Sequence, residues 1–158
     1  HPEVKLIIAP HVIDENHLVE IIRKLKRPYV RYTRADEKNV RKADCLIIDC
    51  FGLLSSIYRY GEIAYIGGGF GVGIHNTLEA AVYGIPVIFG PKYQKFQEAV
   101  QLLEAKGGFS IKNNEELKTL LDRMLEDEVF LREAGMNAGA YVTDNAGATD
   151  KVLSMINF

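Results

Sequence analysis

Short apolar runs with no internal alternation punctuate this sequence, and they constrain its fold more than any other feature. Leu6-Ile7-Ile8-Ala9, Cys45-Leu46-Ile47-Ile48, Ile63-Ala64-Tyr65-Ile66 and Pro86-Val87-Ile88-Phe89 are continuous, the pattern of strands buried on both faces of a parallel sheet. Tyr29 to Thr33 reads as a weaker strand and Gly108 to Lys112 as a short edge strand. Between them the period changes to 3.6. Leu18, Ile21, Ile22 and Leu25 form one apolar stripe, as do Phe96, Ala99, Val100 and Leu103, and Leu117, Leu120, Leu121 and Met124. Phe130 to Phe158 reads as one or two further helices, interrupted near Asp144-Asn145-Ala146-Gly147. Strands alternating with helices in this way predict an α/β fold, a parallel sheet with helices on both faces.

At 158 residues a single domain, 1–158, is expected. A chain of this length buries roughly 70% of its surface on folding and needs no disulfide or metal to hold its core. The composition is 47% hydrophobic and 25% charged, with a net charge of −2. That excludes a disordered chain, a fibrous repeat and a globally basic nucleic-acid binder. No apolar run approaches the ~18 residues that span a bilayer. Cys45 and Cys50 match no zinc or redox spacing and suit a reducing compartment, so a soluble intracellular domain is expected. The chain opens on His1-Pro2, almost directly before its first strand; a piece of a longer polypeptide is the expectation.

Open parallel sheets bind ligands outside the carboxyl ends of their strands. Here those ends are Pro10-His11, Asp49 to Gly52, Gly67 to Gly73 and Gly90 to Lys95. Gly67, Gly68, Gly69, Gly71 and Gly73 crowd one loop between a strand and a helix. So many glycines let backbone approach a ligand closely, and a helix start offers N–H groups to an anion. Neither G-x-G-x-x-G nor a Gly-Lys-Ser/Thr phosphate loop fits the segment, which weighs against dinucleotide and ATP. Asn76 and Glu79 carry two readings: a capping box at the helix start, or a ligand-binding pair. His75 taken alone reads as a solvated or hydrogen-bonded loop histidine.

The segment Gly67-Gly68-Gly69-Phe70, then Gly73-Ile74-His75-Asn76-Thr77-Leu78-Glu79-Ala80, Gly84-Ile85-Pro86-Val87, Gly90-Pro91 and Phe96 resembles the 3-deoxy-D-manno-octulosonic acid (Kdo) transferases of lipopolysaccharide synthesis. The family pattern runs GGS-F/L, G-G-H-N-x-L-E-x-A, G-x-P-V and G-P-H-x-x-N-F. The resemblance implies one Rossmann-like half of a GT-B glycosyltransferase, the carboxyl-terminal half that binds the donor. It further implies CMP-Kdo as donor, a lipid A precursor as acceptor, and a full-length enzyme at the cytoplasmic face of the inner membrane. No cofactor and no metal is implied. Glu79 then binds ribose hydroxyls, and Gly73, Ile74, His75, Asn76 and Thr77 lie against phosphate or sugar with Gly68, Gly69 and Phe70. Pro10, His11, Phe51, Gly52 and Leu53 surround cytosine and phosphate. No catalytic residue is expected in this chain: Glu62, Glu98 and Glu104 are not marked as a general base, which the resemblance assigns to the amino-terminal domain.

The chain departs from the family pattern at several of these positions. His11 stands where arginine is usual, Phe51-Gly52-Leu53-Leu54 where Met-Gly-Glu-Leu is usual, and Ile74 replaces a glycine. Lys92 and Lys95 replace histidine and asparagine; they either restore positive charge near the phosphate or are solvated helix-start residues. Nine basic residues, Arg23, Lys24, Lys26, Arg27, Arg31, Arg34, Lys38, Arg41 and Lys42, crowd one stretch. They are either a surface for anionic membrane or the solvated edge of the second strand; nucleic acid is not expected. Two other readings compete with the Kdo donor domain. One is the donor half of a GT-B transferase or epimerase using a UDP-sugar; the other is a non-catalytic nucleotide-binding module.

Overall fold

A computed structural model of the chain describes residues 1–155; positions 156–158, the end of the helical stretch expected up to Phe158, lie outside the described residues. The chain divides into two compact units, His1–Ile57 and Tyr58–Phe158.

In the first unit the order is β1 (Leu6–Ile8), α1 (Glu15–Lys24), β2 (Tyr29–Arg31), a 3-10 turn (Tyr32–Arg34), α2 (Glu37–Val40), β3 (Cys45–Ile47) and α3 (Leu54–Ile57). The strands are parallel in the order β1-β3-β2, with Leu6, Cys45 and Tyr29 level across the sheet. Helix α1 starts where the Asp14 carboxylate accepts the His17 backbone N–H, and it ends on Arg23 and Lys24, whose charge suits the carboxyl end of the helix dipole. Its stripe buries Leu18. Helix α2 is a single turn held by a reciprocal Asp36–Asn39 capping box. The central strand buries Cys45 and Ile47 on one face and half-buries Leu46 on the other, whereas β1 buries none of its residues. Leu6 and Ile7 are both 40% exposed, because β1 is an outer strand of this sheet.

The second unit follows a 3-10 turn (Tyr58–Tyr60) with β4 (Ala64–Tyr65), α4 (Leu78–Ala81), β5 (Val87–Phe89), α5 (Gln97–Glu104), β6 (Gly108–Ser110), α6 (Asn114–Glu126), α7 (Glu128–Asp144) and α8 (Ala148–Met155). The strands are parallel in the order β4-β5-β6. β5 is buried throughout, and its residues alternate between two cores. Val87 and Phe89 pack with Ala80 and Ala81 of α4, Ala99 and Leu102 of α5 and Ala138 of α7. Ile88 packs with Met124 and Ile111 against Leu117, Leu120 and Phe130. Helices therefore cover both faces of β5, as the continuous Pro86–Phe89 run predicts. Each such fully buried large side chain contributes about 1.5–3 kcal/mol. Helix α7 crosses the turn after α4 at close quarters. Gly84 holds a left-handed φ of +69°, and a Cβ on Gly135 would fall 2.3 Å from the Gly84 carbonyl oxygen.

Candidate functional site

In the second unit, β4 and β5 lie side by side, and the segments leaving their carboxyl ends close on each other. The glycine loop folds back as a small hairpin. Gly68 and Ile74 form an antiparallel bridge, the Gly69 N–H donates to the Val72 and Gly73 carbonyls, and the His75 N–H donates to the Gly67 carbonyl. Gly68 and Gly69 both sit at positive φ, +91° and +80°. The loop also meets the segment after β5 backbone to backbone: a Cβ on Gly69 would fall 2.8 Å from the Gly90 Cα. Lys92 fastens this contact twice, its backbone N–H donating to the Gly69 carbonyl and its Nζ to the Gly71 carbonyl at 3.1 Å. Lys95 is exposed.

The hairpin leaves an open hollow of about 440 Å³ lined by Gly68, Val72, Gly73, Ile74, His75 and Phe96. Phe96 stands flush against the loop, so that a Cβ on Gly73 would meet its ring at 2.3 Å. Phe70 is half exposed and Val72 almost fully so. Ile74 packs its side chain into the core.

Of the two readings of Asn76 and Glu79, the reciprocal capping box does not form. The Asn76 Oδ1 accepts the Leu78 N–H at 3.0 Å, as a cap does, but Glu79 does not return to the backbone. Its Oε1 instead accepts from the Asn76 Nδ2 at 3.0 Å. One asparagine thus serves both roles: its carbonyl starts the helix and its amide orients a half-buried carboxylate. Burial, with the Glu79 charge second, pushes the neighbouring Tyr58 phenol up from its ordinary range. Thr77 is fully buried, and its hydroxyl has no hydrogen-bond partner among the described residues.

The first unit gathers Pro10, His11, Phe51, Gly52 and Leu53 in the same manner. β1 and β3 pair directly, so the segments after them leave from adjacent strand ends. Phe51 is 82% exposed, Gly52 has φ +86°, and the Leu53 carbonyl accepts from Ser56 and Ile57 to start α3. Beside them lies a network that the sequence pattern does not reveal. The buried Asp49 accepts from Arg31 Nε at 2.8 Å, from the Thr33 N–H at 2.9 Å and from the Thr33 hydroxyl at 2.6 Å. Arg31 also donates Nη1 to both Glu15 oxygens, at 2.8 and 2.9 Å. Burial alone would raise the Asp49 carboxyl, but the Thr33 hydroxyl and N–H and the Arg31 guanidinium hold it down at about 2. Arg31 is therefore an internal ion-pair partner and leaves the expected basic surface.

Among the described residues no group of three histidine, cysteine or acidic side chains is placed to hold a metal ion, and no helix is long and apolar enough to cross a membrane.

No family model matches the chain. It is 37% identical over 127 residues to a 3-deoxy-D-manno-octulosonic acid transferase of Aquifex aeolicus, a match covering 79% of this chain and 35% of that protein. A 3-deoxy-D-manno-octulosonic acid transferase of Rickettsia conorii is 34% identical over 116 residues, covering 72% of this chain and 25% of the relative. The chain thus spans about a quarter to a third of the length of the curated relatives it matches. The carboxyl-terminal CMP-Kdo binding domain of WaaA from Acinetobacter baumannii shares the fold, with a TM-score of 0.73 at 19% identity over 86% of this chain and 72% of that one. An α/β, Rossmann-like half of a GT-B glycosyltransferase is the architecture, and the chain belongs to the 3-deoxy-D-manno-octulosonic acid transferase family.

Proposed function

We propose that this chain binds CMP-Kdo as the carboxyl-terminal donor domain of a transferase that moves Kdo onto a lipid A precursor. What supports this most directly is the Glu79 carboxylate, held by Asn76 beside a glycine loop closed on its own backbone. A carboxylate accepts hydrogen bonds from two hydroxyls well, which suits a ribose diol. Glycine backbone allows a phosphate to approach the loop closely. In this reading Gly68, Gly69, Phe70, Gly73, His75, Lys92 and Lys95 of the second unit line the phosphate and sugar. Fixed donors of this kind stabilise the charge that grows on a departing CMP. The reaction needs no cofactor or metal in this reading. The acceptor and the base that deprotonates it belong to the part of the relatives that this chain does not span, and the parent works at the cytoplasmic face of the inner membrane.

Titration with CMP, UMP and NAD, followed by NMR or calorimetry, tests the donor assignment. CMP binds best, and Glu79→Ala weakens it roughly tenfold to a hundredfold, the loss of a charged hydrogen bond. Tightest binding of UMP moves the chain to a UDP-sugar enzyme. If no nucleotide binds and Glu79→Ala only melts lower, Glu79 is a helix-start residue. The 158 residues alone transfer no Kdo; detectable transfer refutes the division of labour.

A further inference from the structure

A CMP-Kdo donor brings two negative groups to the glycine hairpin. One is the nucleotide phosphate, which glycine backbone admits closely. The other is the carboxylate that makes its sugar an octulosonic acid. Glu79, a carboxylate itself, already stands in this site, so the second group needs a cation close by. From Gly67 to Phe96 the chain carries only three formally charged side chains, Glu79, Lys92 and Lys95. The two lysines are not equivalent. Lys92 is engaged: its Nζ donates to the Gly71 carbonyl at 3.1 Å and ties down the hairpin apex. Lys95 is exposed, and its side chain has no hydrogen-bond or ion-pair partner among the described residues. Its place is nonetheless fixed. Lys95 belongs to the turn Tyr93–Phe96, closed by the Phe96 N–H donating to the Tyr93 carbonyl at 2.8 Å. One end of that turn is anchored on the core, Tyr93 meeting the Phe89 ring edge-on at 5.5 Å. The other end is Phe96, which walls the hollow with its ring against Gly73. Between them the Gln94 amide donates to the Pro91 carbonyl at 2.9 Å. A free ammonium is thus carried on a braced turn, one residue from the aromatic wall of the hollow.

We propose that Lys95 is the specificity-determining cation of this site and holds the carboxylate of the donor sugar, while Lys92 holds the hairpin. The inference rests on the CMP-Kdo reading above and gives the two lysines separate tasks. An ammonium donates well to a carboxylate, and the opposite charges strengthen the contact. Asparagine, usual at this position in the family pattern, offers the same carboxylate a neutral donor; Lys95 adds charge to that contact. A donor with a neutral sugar gains nothing from it, so the chain selects an acidic sugar by charge.

Calorimetric titration of the chain with CMP and with CMP-Kdo tests it, read as the ratio of the two dissociation constants. Wild type favours CMP-Kdo. Lys95→Gln shrinks that preference roughly fivefold, the loss of one charged contact at an exposed site. Lys95→Arg keeps it. Lys92→Gln weakens both ligands together and leaves the ratio at its wild-type value. An unchanged ratio in Lys95→Gln overturns the proposal. Equal weakening of both ligands in Lys95→Gln also overturns it, since Lys95 is then a phosphate contact. Failure of the wild-type chain to bind CMP is a separate result: it removes the donor reading, and this proposal with it.

Discussion

The two units hold their candidate site residues by different physics. In the second, the glycine loop is fixed by close backbone packing: Gly68 and Gly69 lie against Gly73 and Gly90, on a core with Val87, Ile88 and Phe89 fully buried. In the first, the Phe51–Leu53 segment follows a buried carboxylate tied to two neighbours by ionic and neutral hydrogen bonds, over a sheet whose outer strand leaves Leu6 and Ile7 partly exposed. Packing of the first kind fails by steric overlap and ignores pH. A network of the second kind fails by protonation.

The sharpest way to break this contrast is Gly135→Val. Its Cβ would collide with the Gly84 carbonyl oxygen, so we expect about 3 kcal/mol of lost stability in urea unfolding, the upper range for overpacking. Amide exchange should then lose protection around β5 and β6 first; equal loss in β1 to β3 would mean that the two units unfold as one.

A smaller effect, about 2 kcal/mol, is expected for Asp49→Asn. The folded carboxyl sits at about 2 against an ordinary 3.8. Its stabilisation is therefore present above about pH 4 and is lost as pH falls through about 2. The wild-type curve of stability against pH should be steeper in that window than the curve of the Asp49→Asn variant, while Gly135→Val should merely shift the curve downward. Parallel curves for Asp49→Asn and wild type would remove Asp49 from its assigned part.

Asn76→Ala is the mildest. Losing the cap costs about 1 kcal/mol, and the released Glu79 should bind CMP severalfold less well, a smaller loss than Glu79→Ala produces. A pure stability change with nucleotide affinity intact would reduce Asn76 to a cap.

What was legible in the sequence follows the same divide. All six strands lie within the apolar runs or the two weaker strand segments, because burial on a parallel sheet leaves an unbroken hydrophobic signature. Helices α1, α5 and α6 are equally legible from their stripes, whereas α7 is covered only by the helical stretch expected from Phe130. Helix α2 was not: one turn held by Asp36 and Asn39 has no apolar period to detect. Arg31 was read with its basic neighbours as surface, because pairing with Asp49 across the sheet leaves no local pattern. At the site, Asn76 and Glu79 were visible as a pair, but their spacing could not distinguish a carboxylate returning to backbone from one held by an amide. The stacking of Phe96 on Gly73 was likewise visible only as two separate motif residues.

The hairpin at Gly67 to His75 has a consequence for how a ligand would be received. Its backbone bonds and the double tether from Lys92 are all made within the chain itself. The entropy of ordering the loop is therefore charged to folding rather than to association. A nucleotide arriving there would meet a preorganised surface, and its binding need not await loop closure. Loosening the Lys92 tether would carry that cost back into the affinity, with the chemistry of the contacts unchanged.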